Sequence, residues 1–348
     1  MKRLLTIIAA LIILSGCGSK NKEFPYEVFT DSVTVAPSKV VDVAEHNVLK
    51  DCGSIRYKGW LFFVDDYTIT HNCIKAVSED FTKTLEAVNR GNGPCDISES
   101  AYFFIYHDSL LVHDLNLKKL LQIDIVDDSI KVSFYKALDN SLSNSFMPLA
   151  ENRLLSTSIL DSAMTRIVDL NDNVYFRQPY PPEETLQNMD FMSQNSIYGN
   201  AQFTISPSKD KIAYGLTDMG LFGFGRIVTQ DSLYFDKIIQ YYSIKKYRKQ
   251  EWVVIIDNTS ILNVNSATSS DKYVFFLHHG GEKMEIINNI FSHRILVYTW
   301  DGEPYKMLTF KENPNLTTIN YDPERNILYG IALNPESQYV EIELNGIL

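Results

Sequence analysis

Past residue 25 the chain carries no sustained 3.6-residue hydrophobic rhythm. Short runs rich in Val, Ile, Phe and Tyr recur instead, broken by Asp, Asn, Gly and Ser. That is the pattern of strands and turns. The runs form a repeating unit: a strand, a polar turn, an apolar strand ending in a polar residue, a loop, then a hairpin. The clearest copy turns at Ser270-Asp271-Lys272, continues as Tyr273-Val274-Phe275-Phe276-Leu277, and resumes as Arg294-Ile295-Leu296-Val297-Tyr298-Thr299-Trp300. Asp301-Gly302 then supplies a two-residue hairpin turn, because both residues tolerate positive φ. Another copy runs from residues 317–321 through Asp322-Pro323-Glu324-Arg325-Asn326 to 327–333. A third runs from 203–206 through Pro207-Ser208-Lys209-Asp210 to 211–214. Residues 60–64, 109–112 and 153–156 fit the same second-strand slot upstream.

Six units result, near residues 51–93, 94–138, 145–182, 200–256, 260–311 and 316–346. Four-stranded units at this spacing predict an all-β fold, a six-bladed β-propeller. The last unit shows three strands, so residues 26–35 are expected to supply its fourth and close the ring. Closure leaves only short, protected sheet edges. Residues 183–198 are the main non-β segment and predict one short helix between the third and fourth units.

Ahead of this body, Met1-Lys2-Arg3 is followed by the apolar residues 4–14. That run is too short for a ~30 Å hydrocarbon core, which takes about twenty residues. The small residues that follow mark a cleaved signal instead. The ending Leu14-Ser15-Gly16-Cys17 resembles a bacterial lipobox, in which the Cys17 thiol carries diacylglycerol and the freed amine an acyl chain such as palmitate. Residues 1–16 are then a signal peptide, 17–24 a lipid-anchored tether and 25–348 the propeller. Two or three acyl chains hold a protein to a bilayer where one would not. The expected location is the bacterial cell envelope. Gly18 rather than Asp follows the cysteine, which points to the outer membrane.

Composition adds two limits. With 45% apolar residues in 348, the chain has enough apolar mass for a sizeable core. The 43 acidic against 32 basic side chains give a formal charge of −11, which argues against a nucleic-acid partner.

A family resemblance follows from three stretches: Ala267-Thr268-Ser269-Ser270-Asp271-Lys272-Tyr273-Val274, then His293 to the Asp301-Gly302 turn, then Ile331-Ala332-Leu333-Asn334-Pro335-Glu336. They resemble the TolB-like six-bladed propeller lipoproteins, and Arg90-Gly91-Asn92-Gly93-Pro94 looks like that family's blade linker. The resemblance implies a six-bladed fold on an exported, lipid-anchored chain. It implies no reaction, because a shared superfold does not assign one.

Motifs for chemistry are few. Asp169-Leu170-Asn171-Asp172-Asn173 imitates a calcium loop, but Val174 stands where Gly is required and Tyr180 where the bidentate Glu belongs. There is no Gly-x-Ser-x-Gly elbow and no P-loop, and no cofactor is expected. The second strands end at Asp65-Asp66, Asp114, Asp161, Asp218, His278-His279 and Asn334. In a propeller these ends surround one mouth of the channel. The candidate binding residues are therefore Asp66, Asp114, Asp161, Asp218, His278 and His279, with Arg226 from the loop at 220–226. Leu221, Phe222 and Phe224 in that loop, and Ile290-Phe291 in 280–292, are expected to be exposed for a partner protein, or else to pack over the mouth. Tyr180, Tyr198 and Phe224 are the candidate platforms for a glycan.

The expected function is thus a non-catalytic binding or scaffolding module for a protein or glycan at the mouth. The competing reading is a metal-dependent hydrolase or lactonase with acidic ligands from scattered strand ends. Two further features are open. Among Cys52, Cys73 and Cys95, one pair forms a disulfide or all three are small buried hydrophobes. The Asp-Ser-apolar triplets at residues 31, 108, 128, 161 and 231 resemble a bacterial O-glycosylation acceptor and equally an ordinary turn entering a strand.

Overall fold

The computed structural model describes residues 24–348 apart from 50, 66–71, 99–100, 139–142, 159–160, 183–185, 187, 245–246, 251–252, 289, 291–293 and 334–335. Among the described residues six antiparallel blades stand in a ring, a β-propeller. Blade 1 contains Asp51–Tyr57, Trp60–Asp65, Asn72–Ser78 and Thr84–Asn89; blade 2 contains Ala101–Tyr106, Ser109–Asp114, Lys119–Val126 and Ser129–Ala137. Blade 3 contains Ser143–Ala150, Arg153–Ser158, Thr165–Val168 and Val174–Gln178; blade 4 contains Ala201–Ile205, Lys211–Leu216, Leu221–Thr229 and Ser232–Gln240. Blade 5 contains Val264–Ser269, Tyr273–His278, Arg294–Thr299 and Pro304–Phe310; blade 6 contains Asn320–Asp322, Ile327–Leu333 and Ser337–Glu343.

The second strands were legible because they are covered on both faces. In blades 1, 2, 4 and 5 every residue after the first is buried. Neighbouring blades cover both sides of such a strand, so its sequence is a continuous apolar run. Fourth strands lie at the rim and alternate instead, as in Val174–Gln178 and Ser232–Gln240. The hairpin turns at His107-Asp108 and Asp127-Asp128 hold both central residues at φ near +50°, the type I′ requirement. The Asp-Ser triplets at 108 and 128 are therefore turn-into-strand sequences in this fold.

Ring closure differs from the expectation. Residues 26–35 do not complete blade 6; Lys39–Asp42 does, antiparallel to Ser337–Glu343, with Lys39 opposite Glu341 and Asp42 opposite Gln338. Ser32–Val35 instead adds a fifth strand, parallel to Pro304–Phe310 at the rim of blade 5. Pro37 lies between the two short strands and has no N–H to extend a ladder, so the chain crosses there from one blade to the next.

Of the two readings of the cysteines, the structure supports unpaired thiols. Cys73 and Cys95 are both free. The strands bearing Cys52 and Cys73 are separated by Trp60–Asp65, two strand spacings or about 9.5 Å, beyond the reach of a disulfide. Cys95 is exposed in the linker to blade 2, while burial pushes the Cys73 thiol pKa up.

Three insertions interrupt the blade pattern. A helix, Phe191–Tyr198, precedes blade 4, within the segment expected to be non-β. A hairpin, Tyr247–Gln250 with Val253–Ile256, follows blade 4. A short helix, Lys283–Ile287, lies between the second and third strands of blade 5.

Candidate binding face

All three insertions emerge on one face of the ring, where second strands end and third strands begin. Strand register establishes this. Leu216 ends a second strand just before the third strand opens at Leu221, which is paired with Gln240; the hairpin follows Gln240. His278 at the end of a second strand pairs with Arg294 at the start of a third.

The insertions touch one another. The Val254 amide donates to Ser196 Oγ at 3.2 Å, joining hairpin to first helix. Lys249 also pairs with Asp190, the helix N-cap, whose carboxylate accepts from Ser193 N and Oγ at 3.1 and 3.0 Å. The hydrogen bond from Lys249, with those from Ser193, holds the Asp190 carboxyl well below the usual range. The Met284 amide donates to Asn258 O at 2.9 Å, joining the second helix to the residues after the hairpin. Together they form a contiguous crown over blades 3 to 5.

The expected acidic ring is present on this face but its described carboxylates are engaged. Asp114 accepts from Ser98 N and Oγ at 2.7 and 2.6 Å, and from Asn116 N and Leu117 N at 3.1 and 2.9 Å. It fastens the blade linker and its own turn. Asp161 lies 3.6 Å from Arg166 and 3.1 Å from Arg177. Asp218 accepts from Asn200 Nδ2 at 2.8 Å, and burial raises its pKa despite that bond. Among the described residues no three His, Cys, Asp or Glu side chains cluster at metal-ligand spacing. Asp66 and Asn334 lie outside the described residues.

His278 and His279 are fully buried. The Tyr26 ring meets His278 edge-on at 5.9 Å, and a side chain at Gly280 would strike the imidazole at 2.4 Å. His279 sits 3.7 Å from Glu285, and its amide donates to Asn263 O at 2.7 Å. Both belong to the packing beneath the crown.

Arg226 does not join this set. It pairs with Lys211 at the start of a second strand, so it sits toward the opposite face, 3.4 Å from Asp236. The expected loop at 220–226 is in fact the strand Leu221–Thr229, and Leu221, Phe222 and Phe224 are buried rather than exposed. The residues alternate: Phe222 and Phe224 face blade 5, while a Cβ on Gly223 would strike the Tyr214 ring at 2.0 Å. Ile290 is exposed as expected; Phe291 lies outside the described residues.

What sequence reading left unassembled is a groove at the joint of blades 3 and 4. It encloses about 310 Å³ and is lined by Ser162, Pro179, Tyr180, Pro182, Gln194 and Tyr198, among others. Tyr180 and Tyr198 stack at 4.9 Å, 20° from parallel. Their hydroxyls are spent: Tyr180 donates to Asp161 O at 2.8 Å and Tyr198 to Pro181 O at 3.1 Å. Burial raises the Tyr180 pKa well above its ordinary value. Tyr198 is buried as the backing of this stack, so the groove offers the half-buried Tyr180 and the exposed Pro179 and Pro182, with few polar groups at its edge. The signal available was Pro179-Tyr180-Pro181-Pro182 followed by the helix; the distance between them was not readable.

No protein-family model and no curated protein sequence matches the chain. Among solved structures, the chain is similar to the β-propeller domain of Cps50 (Swd1) from Myceliophteria thermophila. The identity is 9%, the TM-score 0.47, and the match covers 84% of this chain and 82% of that one.

Proposed function

We propose that the protein is an exported binding module, held to a bilayer through Cys17, that captures a segment of a partner protein in the Tyr180–Tyr198 groove. The observation that carries this reading is the chemistry of the groove lining. The half-buried Tyr180, held from behind by Tyr198 and flanked by the exposed Pro179 and Pro182, suits an extended, apolar or proline-rich peptide, as aromatic-lined grooves generally do. A glycan would call for a wider polar fringe than Ser162 and Gln194 provide. The mouth carboxylates support a non-catalytic role, since Asp114 is committed to its own turn and to Ser98, Asp161 to arginines and Asp218 to Asn200. The anchor rests on the lipobox-like Leu14-Ser15-Gly16-Cys17 and on the resemblance to TolB-like lipoproteins, with the outer membrane of a bacterial envelope as the site.

The test is in-cell photocrosslinking from position Ser162 of the full chain. The expected result is a discrete envelope protein crosslinked by the parent and lost, at least tenfold, in Tyr180→Ala. Crosslinks unaffected by Tyr180→Ala would defeat the groove. Tight divalent-ion binding coupled to ester hydrolysis would favour the hydrolase instead. Intact mass tests the anchor separately: acyl chains on the mature parent, none on Cys17→Ala.

A further inference from the structure

The chain's N-terminal described segment is pinned to the crowned face. Phe24 stacks on Tyr26 at 5.4 Å and packs against Tyr242 at 5.8 Å, and the Arg294 guanidinium lies 4.2 Å over the Tyr26 ring. Only residues 18–23 separate Phe24 from Cys17. Fully extended, that connection reaches about 24 Å. A folded body of this size has a radius of gyration of roughly 20 Å, hence a radius near 25 Å. A tether rooted on the crowned face is therefore too short to pass around the molecule.

The crown has the surface that such an orientation needs. Phe191, Tyr247, Met284 and Ile290 are 48, 43, 40 and 43% exposed, one or two on each insertion. Other exposed aromatics, such as Phe134, Tyr234 and Tyr305, are spread over the rims of different blades. The hairpin begins within Lys245-Lys246-Tyr247-Arg248-Lys249, four cations in five residues of a chain whose net charge is −11. Arg248 and Lys249 are exposed. Nearby carboxylates are partly committed: Asp190 to Lys249, and Asp257 to its own Thr259, while Glu282 is exposed. Aromatic and apolar tips beside basic side chains are what an anionic headgroup layer accommodates.

Resting on the anchor reading above, we infer that the crown is a bilayer-contacting surface: Phe191, Tyr247, Met284 and Ile290 enter the headgroup region and Arg248 meets anionic lipid. The overall negative charge keeps the rest of the body off the same surface. The propeller then stands with its opposite face, bearing the His107-Asp108 and Asp127-Asp128 turns, away from the membrane, and the Tyr180 groove opens close to the bilayer plane.

Hydrogen exchange on the full mature chain tests this, with vesicles of phosphatidylcholine alone and with 30% phosphatidylglycerol. The expected result is slowed exchange, at least threefold, in residues 191–198, 247–256 and 283–290 on the anionic vesicles, with 105–110 and 126–130 unchanged. The variant F191S/Y247S/M284S/I290S loses that protection, and Arg248→Glu, which leaves the apolar tips intact, removes the difference between the two lipids. An acylated, vesicle-bound chain with no protection at the crown, or with protection at the opposite turns, overturns the inference and leaves the anchor standing. A chain without acyl groups that still shows crown protection removes the anchor and leaves the surface.

Discussion

Two joints of the ring share buried apolar packing but differ in what is added to it. Between blades 4 and 5 the contact is aromatic: Phe222 meets Phe276 at 5.0 Å and Tyr298 at 5.6 Å, and Phe224 meets Tyr298 at 5.3 Å, all buried. Ser and Thr side chains stitch the inner strands beneath, Thr204 Oγ1 to Ser269 Oγ at 2.9 Å and Ser269 Oγ to Ile205 O at 3.0 Å. Between blades 6 and 1 an apolar cluster, Leu61 and Phe63 with Ile327 and Ile331, is joined by a charged one. Arg56 pairs with Asp322, lies 3.1 Å from Glu79 and 3.7 Å from Glu341, and its guanidinium covers the Tyr329 ring at 5.0 Å. Arg325 grips Glu341 with both nitrogens at 2.7 and 2.6 Å. Blades 4 and 5 are neighbours in the chain, so non-directional apolar packing suffices to dock them. Blades 6 and 1 meet across 266 residues of sequence between Arg56 and Asp322. Arg56 reaching Asp322 and Glu341, the latter held in place by Arg325 of the same blade, rewards one register, the best-attested use of buried ion pairs.

The largest effect is expected at the aromatic joint. Phe222→Ala removes a fully buried ring between three others and lowers stability by about 4 kcal/mol, with no dependence on salt. Urea denaturation at low and high salt checks both statements. A loss below about 1 kcal/mol would show that the joint collapses to fill the gap.

Arg56→Ala is expected to cost about 2 kcal/mol, because Asp322 and Glu341 lose a cation while partly shielded from water. That figure shrinks in high salt, since Arg56 and Glu79 are within solvent reach. Acid distinguishes the seam further. Burial pushes the Glu341 pKa up, but hydrogen bonds from Arg325 and Tyr339 outweigh it and leave the carboxyl below its ordinary value. A depressed folded-state pKa contributes stability above the unfolded value near 4.5, and that contribution is lost as pH falls through the folded one. The stability gap between parent and Glu341→Gln is therefore present at pH 7 and closes below pH 4.5. A constant gap between pH 7 and pH 3 would refute the assignment.

The smallest effect is at the stitching. Ser269→Ala removes one shared pair of neutral hydrogen bonds and costs about 1 kcal/mol, independent of salt and of acid. The same urea series measures it, and a loss equal to that of Phe222→Ala would mean the inner strands, not the rings, hold the joint.

Strands, turns and the number of blades could be read without coordinates because each depends on residues a few positions apart. A run such as Tyr273-Val274-Phe275-Phe276-Leu277 is apolar throughout only if both faces are covered; the expected two-residue turn at Asp301-Gly302 is a longer one, residues 300–303, with positive φ at Gly302 alone. The errors share one cause, which is distance along the chain. Residues 26–35 and 39–42 are both short and β-prone, and only the contact with Ser337–Glu343 selects the second to close blade 6. Phe222 and Phe224 looked like exposed loop residues until blade 5 covered them. Asp114 looked available until Ser98 and its own turn took its oxygens. The groove needs Tyr180 and Tyr198 brought to 4.9 Å, and the crown needs segments near 191, 247 and 284 side by side. Local pattern records which face of a residue will be covered; folding alone chooses what covers it, because burial and hydrogen bonding are settled between partners that the linear order keeps apart.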